Sequence, residues 1–210
     1  DIRLTADGVP VVYHDQSVPR LLAKDPLVSS LTHEQLRALQ VFPRQITPTF
    51  EEVLEWSAGR VVINAEFKEP EVIDAAVSLV QKHSAHEWVY FQCKSDQERY
   101  RRARSLDSRV ALLFKPADEE MLNWALSLED DRLVVIEFGN DLFRPELVRK
   151  AQAAGKLVSF NSWRLSPLAE FFGANCTEVW EMGADICITK RPKSAVIQRA
   201  RYAAAAREQE

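Results

Sequence analysis

The sequence predicts an α/β protein, a (β/α)8 barrel of parallel strands wrapped by helices, on 210 residues that suit a single domain. Two features carry this expectation. Short runs rich in β-forming residues alternate with amphipathic helical stretches, the rhythm of βαβ units that feed a parallel sheet. Several of those runs, VVI and ALLF among them, are apolar without a break, as strands covered on both faces must be. Hydrophobic residues make up 46% of the chain, enough for a full core.

Taken in order, DIRLT and VPVVYHD read as two extended segments around Asp7-Gly8, a tight-turn dipeptide. Thr32 followed three residues later by Gln35 makes a capping box that opens the helix THEQLRALQ. Pro48-Thr49 leads into FEEVLEWSA, whose Phe50, Val53, Leu54 and Trp56 recur near helical spacing. Strand runs then follow at VVINAEF, WVYFQC, RVALLF, RLVVIEF, KLVSFNSW and DICIT. Between them lie the helical stretches PEVIDAAVSLVQKH, DQERYRRARSL, DEEMLNWALSL, RPELVRKAQAAG and LAEFFGANCTEVWEMG, and RYAAAAREQE makes a helical tail. Counting DIRLT, seven barrel strands are present where a closed barrel needs eight. The chain also opens on Asp1 rather than Met. The expectation is one barrel domain over residues 1–210 that lacks its first strand.

Composition narrows the function. A formal net charge of -4 leaves no basic footprint for nucleic acid. No apolar run reaches the roughly 18 residues that cross a bilayer, so stable membrane insertion is not expected. Cys93, Cys176 and Cys187 are too far apart for a CxxC-type zinc pair, and an odd count speaks against a disulfide framework. Reduced, buried thiols lean weakly towards the cytoplasm, although a signal peptide upstream of Asp1 would escape notice. A monomer is the default, because no exposed apolar stripe stands out.

In a barrel, reactive groups project from the carboxyl ends of the strands. Side chains alternate along a strand, so Asp1, Arg3 and Thr5 share a face, as do Glu66 and Lys68. A carboxylate on an interior strand is costly unless it is paired or holds a cation. Asp1 and Glu66 could together bind a hard divalent ion, with Lys68 beside it to neutralise an anionic oxygen. His14, whose unperturbed pKa lies near 6.5, suits acid–base work. Lys94, Lys115 and Glu137 close later strands, where they either touch substrate or pair with neighbours. For Arg3 the plain expectation is an internal salt bridge, for His33 an exposed helix start, and for His83 and His86 no shared ligand role.

These residues sit in a recognisable setting. DIRLTADGVPVVYHD resembles the opening pattern of the glycerophosphodiester phosphodiesterase family, matching at Asp1, Leu4, Thr5, Asp7, Gly8, Val11, Val12, His14 and Asp15. TPTFEEVLE is similar to the family's Pro-Thr-Leu-Glu-Glu-Val-Leu segment, and NAEFKE to its Glu-Ile-Lys strand with Phe67 in place of Ile. MGADICITKRP resembles its late Gly-Ala-Asp segment, with Lys190 where Asp is common.

The resemblance implies a TIM-type barrel that hydrolyses glycerophosphodiesters, small-molecule substrates, to an alcohol and glycerol 3-phosphate with Mg²⁺ or Ca²⁺. It puts Asp1 and Glu66 on metal-ligand positions, His14 on the second of two catalytic histidines, and Lys68 close to the phosphate. A glycerol hydroxyl of the substrate would attack first and a cyclic phosphate would then be opened by water. The family's first strand, its His-Arg-Gly loop and one further Glu ligand would lie upstream of Asp1, so this stretch alone is expected to be impaired in catalysis. The late strand departs from the family's Trp-Thr-Val-Asn: here Asn161 stands near the Trp position and Trp163 two residues on, both candidates for contact with substrate. The competing expectation is a phosphodiesterase-like barrel that binds or regulates without catalysis; a third keeps the enzyme but turns it to lysophospholipid or phosphoinositide-like diesters.

Overall fold

A computed structural model describes residues 1–18, 26–39, 46–172 and 175–207. The chain forms two compact units, Asp1–Leu112 and Leu113–Glu210.

The first unit begins with a hairpin. β1 (Ile2–Leu4) pairs antiparallel with β2 (Pro10–Val12), Arg3 standing opposite Val11. The turn is built by side chains: the Thr5 hydroxyl donates to Asp7 Oδ1 at 2.6 Å and accepts from the Val9 N–H at 3.0 Å. Gly8 completes it at φ +78°, with open space where a Cβ would stand, so glycine is needed here for its backbone freedom and not for room. β3 (Ile63–Glu66) pairs parallel with β4 (Val89–Gln92). A single parallel bridge from Ile2 to Phe67, with the Lys68 N–H donating to the Ile2 carbonyl at 3.2 Å, lays β1 beside the end of β3. The expected run VVINAEF starts as a strand only at Ile63, and Val61 and Val62 are exposed.

Both predicted capping boxes form. Thr32 and Gln35 open α1 (His33–Ala38), and Thr49 and Glu52 open α2 (Phe50–Ser57). Gln40, the last residue of THEQLRALQ, lies outside the described residues. α3 (Ile73–Lys82) and α4 (Gln97–Leu106) follow β3 and β4. The unit closes on Phe50, Phe67 and Phe91, fully buried, with the Phe67 and Phe91 rings stacked at 4.5 Å. Behind α4, the buried Asp107 gathers His86 Nε2 at 2.9 Å, Gln81 Nε2 at 3.1 Å and the Arg109 guanidinium at 2.8 Å.

β5 (Ala111–Phe114) falls at the division between the units. In the second unit, β6 (Leu133–Glu137), β7 (Leu157–Asn161) and β8 (Ile186–Ile188) pair parallel in chain order. Glu137 lies opposite Ser159, and Asn161 opposite Ile188. α5 (Glu119–Ser127) is capped by Asp118, and α6 (Pro145–Ala153) starts on the proline that suits a first helical turn. Ser162 and Trp163, expected as the end of the strand run KLVSFNSW, instead open the short α7 (Ser162–Leu165); LAEFFGANCTEVWEMG, expected as one helix, is divided between α8 (Pro167–Phe172) and α9 (Cys176–Glu181), and residues 173–174 lie outside the described part. α10 (Pro192–Arg207) is the predicted tail helix, begun earlier than RYAAAAREQE; residues 208–210 are again outside.

One expectation fails. Cys176 and Cys187 form a disulfide across 11 residues, and only Cys93 stays a buried thiol, with burial pushing its pKa up to about 12. An odd cysteine count excludes only a fully paired set, and the packing of β8, paired parallel with β7, against α9 brings these two together. The leaning towards the cytoplasm loses the support it drew from reduced thiols.

The Asp107 hub makes a testable point. The Arg109 guanidinium first, then hydrogen bonds from the Arg109 N–H, His86 and Gln81, overcome burial and hold the Asp107 carboxyl well below the usual carboxylate range. A folded-state pKa below the unfolded one stabilises above the unfolded value, about 4, and loses that contribution as the pH falls through the folded value. Asp107→Asn is expected to cost about 2–3 kcal/mol at pH 7 by urea titration, with the gap from the parent narrowing below about pH 4.

Candidate active site

The carboxyl end of β3 and the start of β1 bring together three of the residues singled out by sequence. Lys68 Nζ lies 2.8 Å from Glu66 Oε1 and 3.0 Å from Asp1 Oδ1, so one ammonium bridges two carboxylates. Alternation sets Glu66 and Lys68 on one face, and the Ile2–Phe67 bridge delivers Asp1 to that face. Lys94, just past β4, adds a second ammonium 2.9 Å from Glu66 Oε1. Lys94 holds φ +52°, a backbone region that non-glycine residues seldom adopt and that gathers at functional sites. Burial alone would raise the pKa of Glu66, but the two lysines outweigh it and hold the carboxyl below its usual range. Even so, Glu66 Oε1 is buried without a well-directed hydrogen bond; the ammoniums are near it but poorly aimed.

His14 stands apart from that cluster. Its ring is exposed, 72% of the side chain, and Nδ1 lies 2.7 Å from Asp15 Oδ1. Its backbone is fixed firmly: the Arg3 guanidinium donates to the His14 carbonyl at 3.0 and 3.2 Å, and to Glu69 Oε2 at 2.6 Å. Glu69 Oε1 in turn accepts the Leu4 N–H at 2.8 Å. The salt bridge expected of Arg3 is therefore present, and its partner Glu69 is a residue that sequence reasoning missed. The only local signal was its place three residues beyond Glu66. Tyr13 N–H donates to the Asp1 carbonyl at 3.2 Å, which ties the His14 segment to the first residue of the cluster.

His83 and His86 take different partners. His86 belongs to Asp107, and His83 Nε2 lies 2.8 Å from Glu51 Oε1. His33 is half-buried rather than exposed, because the helix start it occupies packs on the hairpin turn through its N–H to Asp7 Oδ1. Glu51, Glu55 and His83 do place three ligand atoms within 4.8 Å of one another, a grouping absent from the sequence reading because its parts lie on two helices. Lys82 already pairs with Glu51 there at 2.7 Å.

In the second unit, Lys115 pairs with Glu137, and Asn161 Nδ2 donates to Glu137 Oε1 at 2.9 Å. Trp163 walls a cavity of about 310 Å³ together with Pro167, Glu170, Phe171, Lys190 and Arg191, and the Lys190 ammonium sits 5.2 Å from the Trp163 ring centre. Glu170 closes the floor of this region, taking the Ser162 and Thr189 hydroxyls at 2.6 Å each and the Lys190 N–H at 2.7 Å. Burial would raise the Glu170 pKa, and those donors hold it below the usual value instead.

Comparison with known proteins gives the family. The model of the glycerophosphoryl diester phosphodiesterase family covers residues 1–193, and the chain belongs to that family of phosphoric diester hydrolases. Its similarity extends to the Mycobacterium tuberculosis protein named "Probable glycerophosphodiester phosphodiesterase 2", 27% identical over 171 residues, 75% of this chain and 64% of that protein. The chain thus spans just under two thirds of that curated relative. Two solved structures show the TIM-type α/β barrel fold. A glycerophosphodiester phosphodiesterase from Thermotoga maritima is 24% identical with a TM-score of 0.66, covering 90% of this chain and 78% of that one. An Oleispira antarctica phosphodiesterase in complex with the product sn-glycerol-3-phosphate is 20% identical, also at 0.66 and with the same coverage.

Removing the bridging ammonium should expose the repulsion it masks. Lys68→Met is expected to lower stability by about 2–3 kcal/mol, because Asp1 and Glu66 are left facing without it. Added Mg²⁺ or Ca²⁺ should then raise the melting temperature more in this variant than in the parent, read by calorimetry with and without chelator.

Proposed function

We propose that the chain carries the metal-dependent hydrolysis of glycerophosphodiesters to an alcohol and glycerol 3-phosphate, with Asp1 and Glu66 as cation ligands, Lys68 at the phosphate and His14 as a proton carrier. The observation that supports it most is the bridged group Asp1–Lys68–Glu66 at strand ends, the residues to which the sequence resemblance assigns the metal and phosphate contacts. The donor set suits Mg²⁺ or Ca²⁺: hard carboxylate oxygens, one of them buried without a directed hydrogen bond, already gathered around positive charge. Such an ion would polarise a phosphoryl oxygen and help activate the attacking hydroxyl.

The remaining steps belong to the chain's own groups. Lys68 and Lys94 offer charge to an anionic phosphoryl oxygen, and both can turn from Glu66 towards it by rotating flexible stems. Asp15 at Nδ1 orients the His14 ring, leaving Nε2 to pass a proton to or from a substrate oxygen. Arg3 works at one remove by anchoring the His14 carbonyl. The relative from Oleispira antarctica, solved with sn-glycerol-3-phosphate, supports the same product here. Trp163 and Asn161 stand as candidate substrate contacts.

The test is release of glycerol 3-phosphate from glycerophosphocholine and other diesters by the full-length natural protein. Expected are dependence on Mg²⁺ or Ca²⁺, loss with chelator, and a fall of roughly 10²–10⁴ in kcat for His14→Ala. A folded protein inert towards several diesters with either metal would leave the non-catalytic binding barrel as the better reading.

A further inference from the structure

In the second unit α8 reverses the usual order of an amphipathic helix. Its acid points inward and its apolar side chains point outward: Glu170 is 4% exposed, whereas Leu168 and Phe171 are 68% and 66% exposed. Leu168 and Phe171 are three residues apart, so they share one face of the helix. The inward Glu170 is well satisfied, since the Ser162 and Thr189 hydroxyls and the Lys190 N–H all donate to its carboxylate. Nothing comparable offsets the outward pair. Single exposed apolar residues are ordinary, but a group of them rimmed by polar residues marks a surface that meets something.

The rim here is cationic. The Arg191 guanidinium donates to the Phe171 carbonyl at 2.7 Å and stands 5.8 Å from the Phe171 ring centre. Lys190 and Arg191 line the cavity of about 310 Å³ that Phe171 also borders, and with Lys193 they line a neighbouring one of about 340 Å³. The surface continues onto α10, where Val196 and Ile197 follow Lys193 by three and four residues, on the same side of the helix, and are exposed. Among the described residues, none of Lys190, Arg191 and Lys193 takes part in a salt bridge, whereas Arg3, Lys68, Lys94 and Lys115 are each held by a carboxylate. The chain as a whole carries a formal net charge of -4, so positive charge gathers here against the average.

Exposed leucine and phenylalanine beside unneutralised cations are complementary to the boundary of a bilayer that contains anionic lipid. The apolar groups can enter the headgroup region while ammonium and guanidinium groups meet lipid phosphates. A second copy of the chain fits less well, because a two-fold contact through this face would set the same cations against themselves. No described helix is long and apolar enough to cross a membrane, so the contact is with the surface alone.

We propose that this face of the second unit docks on anionic membranes, with Leu168 and Phe171 entering the headgroup region and Lys190, Arg191 and Lys193 on lipid phosphates. Docking of this kind stands apart from diester hydrolysis, and neither depends on the other.

The experiment is co-sedimentation of the full-length natural protein with vesicles of phosphatidylcholine alone and of phosphatidylcholine mixed with phosphatidylglycerol. Expected is binding to the anionic vesicles at least about tenfold tighter than to the neutral ones. That binding should hold at about 0.1 M salt and be released at about 1 M, where the screening length falls to about 3 Å. Lys193→Ala should weaken it about fivefold, and Phe171→Ser about tenfold. Both side chains are exposed, so melting temperatures should match the parent, and Leu168→Ser serves as a second apolar variant. Failure to bind either vesicle, equal binding to both, or binding unmoved in all three variants overturns the docking surface. Sedimentation equilibrium without vesicles gives the rival result: a dimer that Phe171→Ser dissociates would put a second copy on this face and overturn the membrane.

Discussion

The Lys68 ammonium holds the first unit's polar end in place. Two carboxylates that share a strand-end face repel each other and are costly to bury, and a single positive charge 2.8 and 3.0 Å from them turns that cost into a fixed geometry. Everything nearby follows from the need to bring Asp1 to Glu66. β1 must lie against the end of β3, so the hairpin turn at Asp7-Gly8 has to be tight and Thr5 has to tie it. The Phe67–Phe91 stack beneath keeps the face level on which Glu66 and Lys68 stand.

The same economy recurs elsewhere in the chain. Arg3 both neutralises Glu69 and grips the His14 carbonyl, so one guanidinium serves the sheet edge and the loop that carries the proton-transfer candidate. In the second unit Glu137 draws in Lys115 and Asn161, and Glu170 draws in Ser162, Thr189 and the Lys190 N–H. Carboxylates act here as organising centres, each collecting donors from two or more segments. Helices join in as well: Glu170 itself stands on α8, and Glu51 of α2 meets Lys82 of α3.

Local rules made much of this legible in advance. The Glu66-x-Lys68 pair could be read because two-residue alternation needs no knowledge of the rest of the fold, and both capping boxes because they span four residues. Every expected run contains a strand, but DIRLT, counted as a barrel strand, pairs antiparallel with β2 and meets β3 by a single bridge, and the run at Val61-Val62 starts late, its β-branched residues exposed before Ile63. What escaped the sequence is non-local. Arg3 was expected to form a salt bridge, but its partner lies 66 residues away. Glu51 meets His83 across 32 residues, and Asp107 meets His86 across 21. LAEFFGANCTEVWEMG was read as one helix, whereas Glu170 pulls its first part towards Thr189 and Lys190, and Cys176 anchors the second part to β8. Composition could not reveal the disulfide either, since pairing depends on which strand lies beside which helix.

That covalent link changes what governs the lifetime of the last strand. β8 is three residues long and only partly buried, too little to hold by hydrogen bonds and apolar area alone. Closing 11 residues into a ring removes about 3 kcal/mol of freedom from the unfolded chain, and the bond ties β8 to the cluster of Trp180, Ala195 and Tyr202. The durability of the C-terminal segment is therefore set by the electron balance of its surroundings, while the ion pairs among Asp1, Glu66 and Lys68, which have no sulfur in them, are indifferent to that balance.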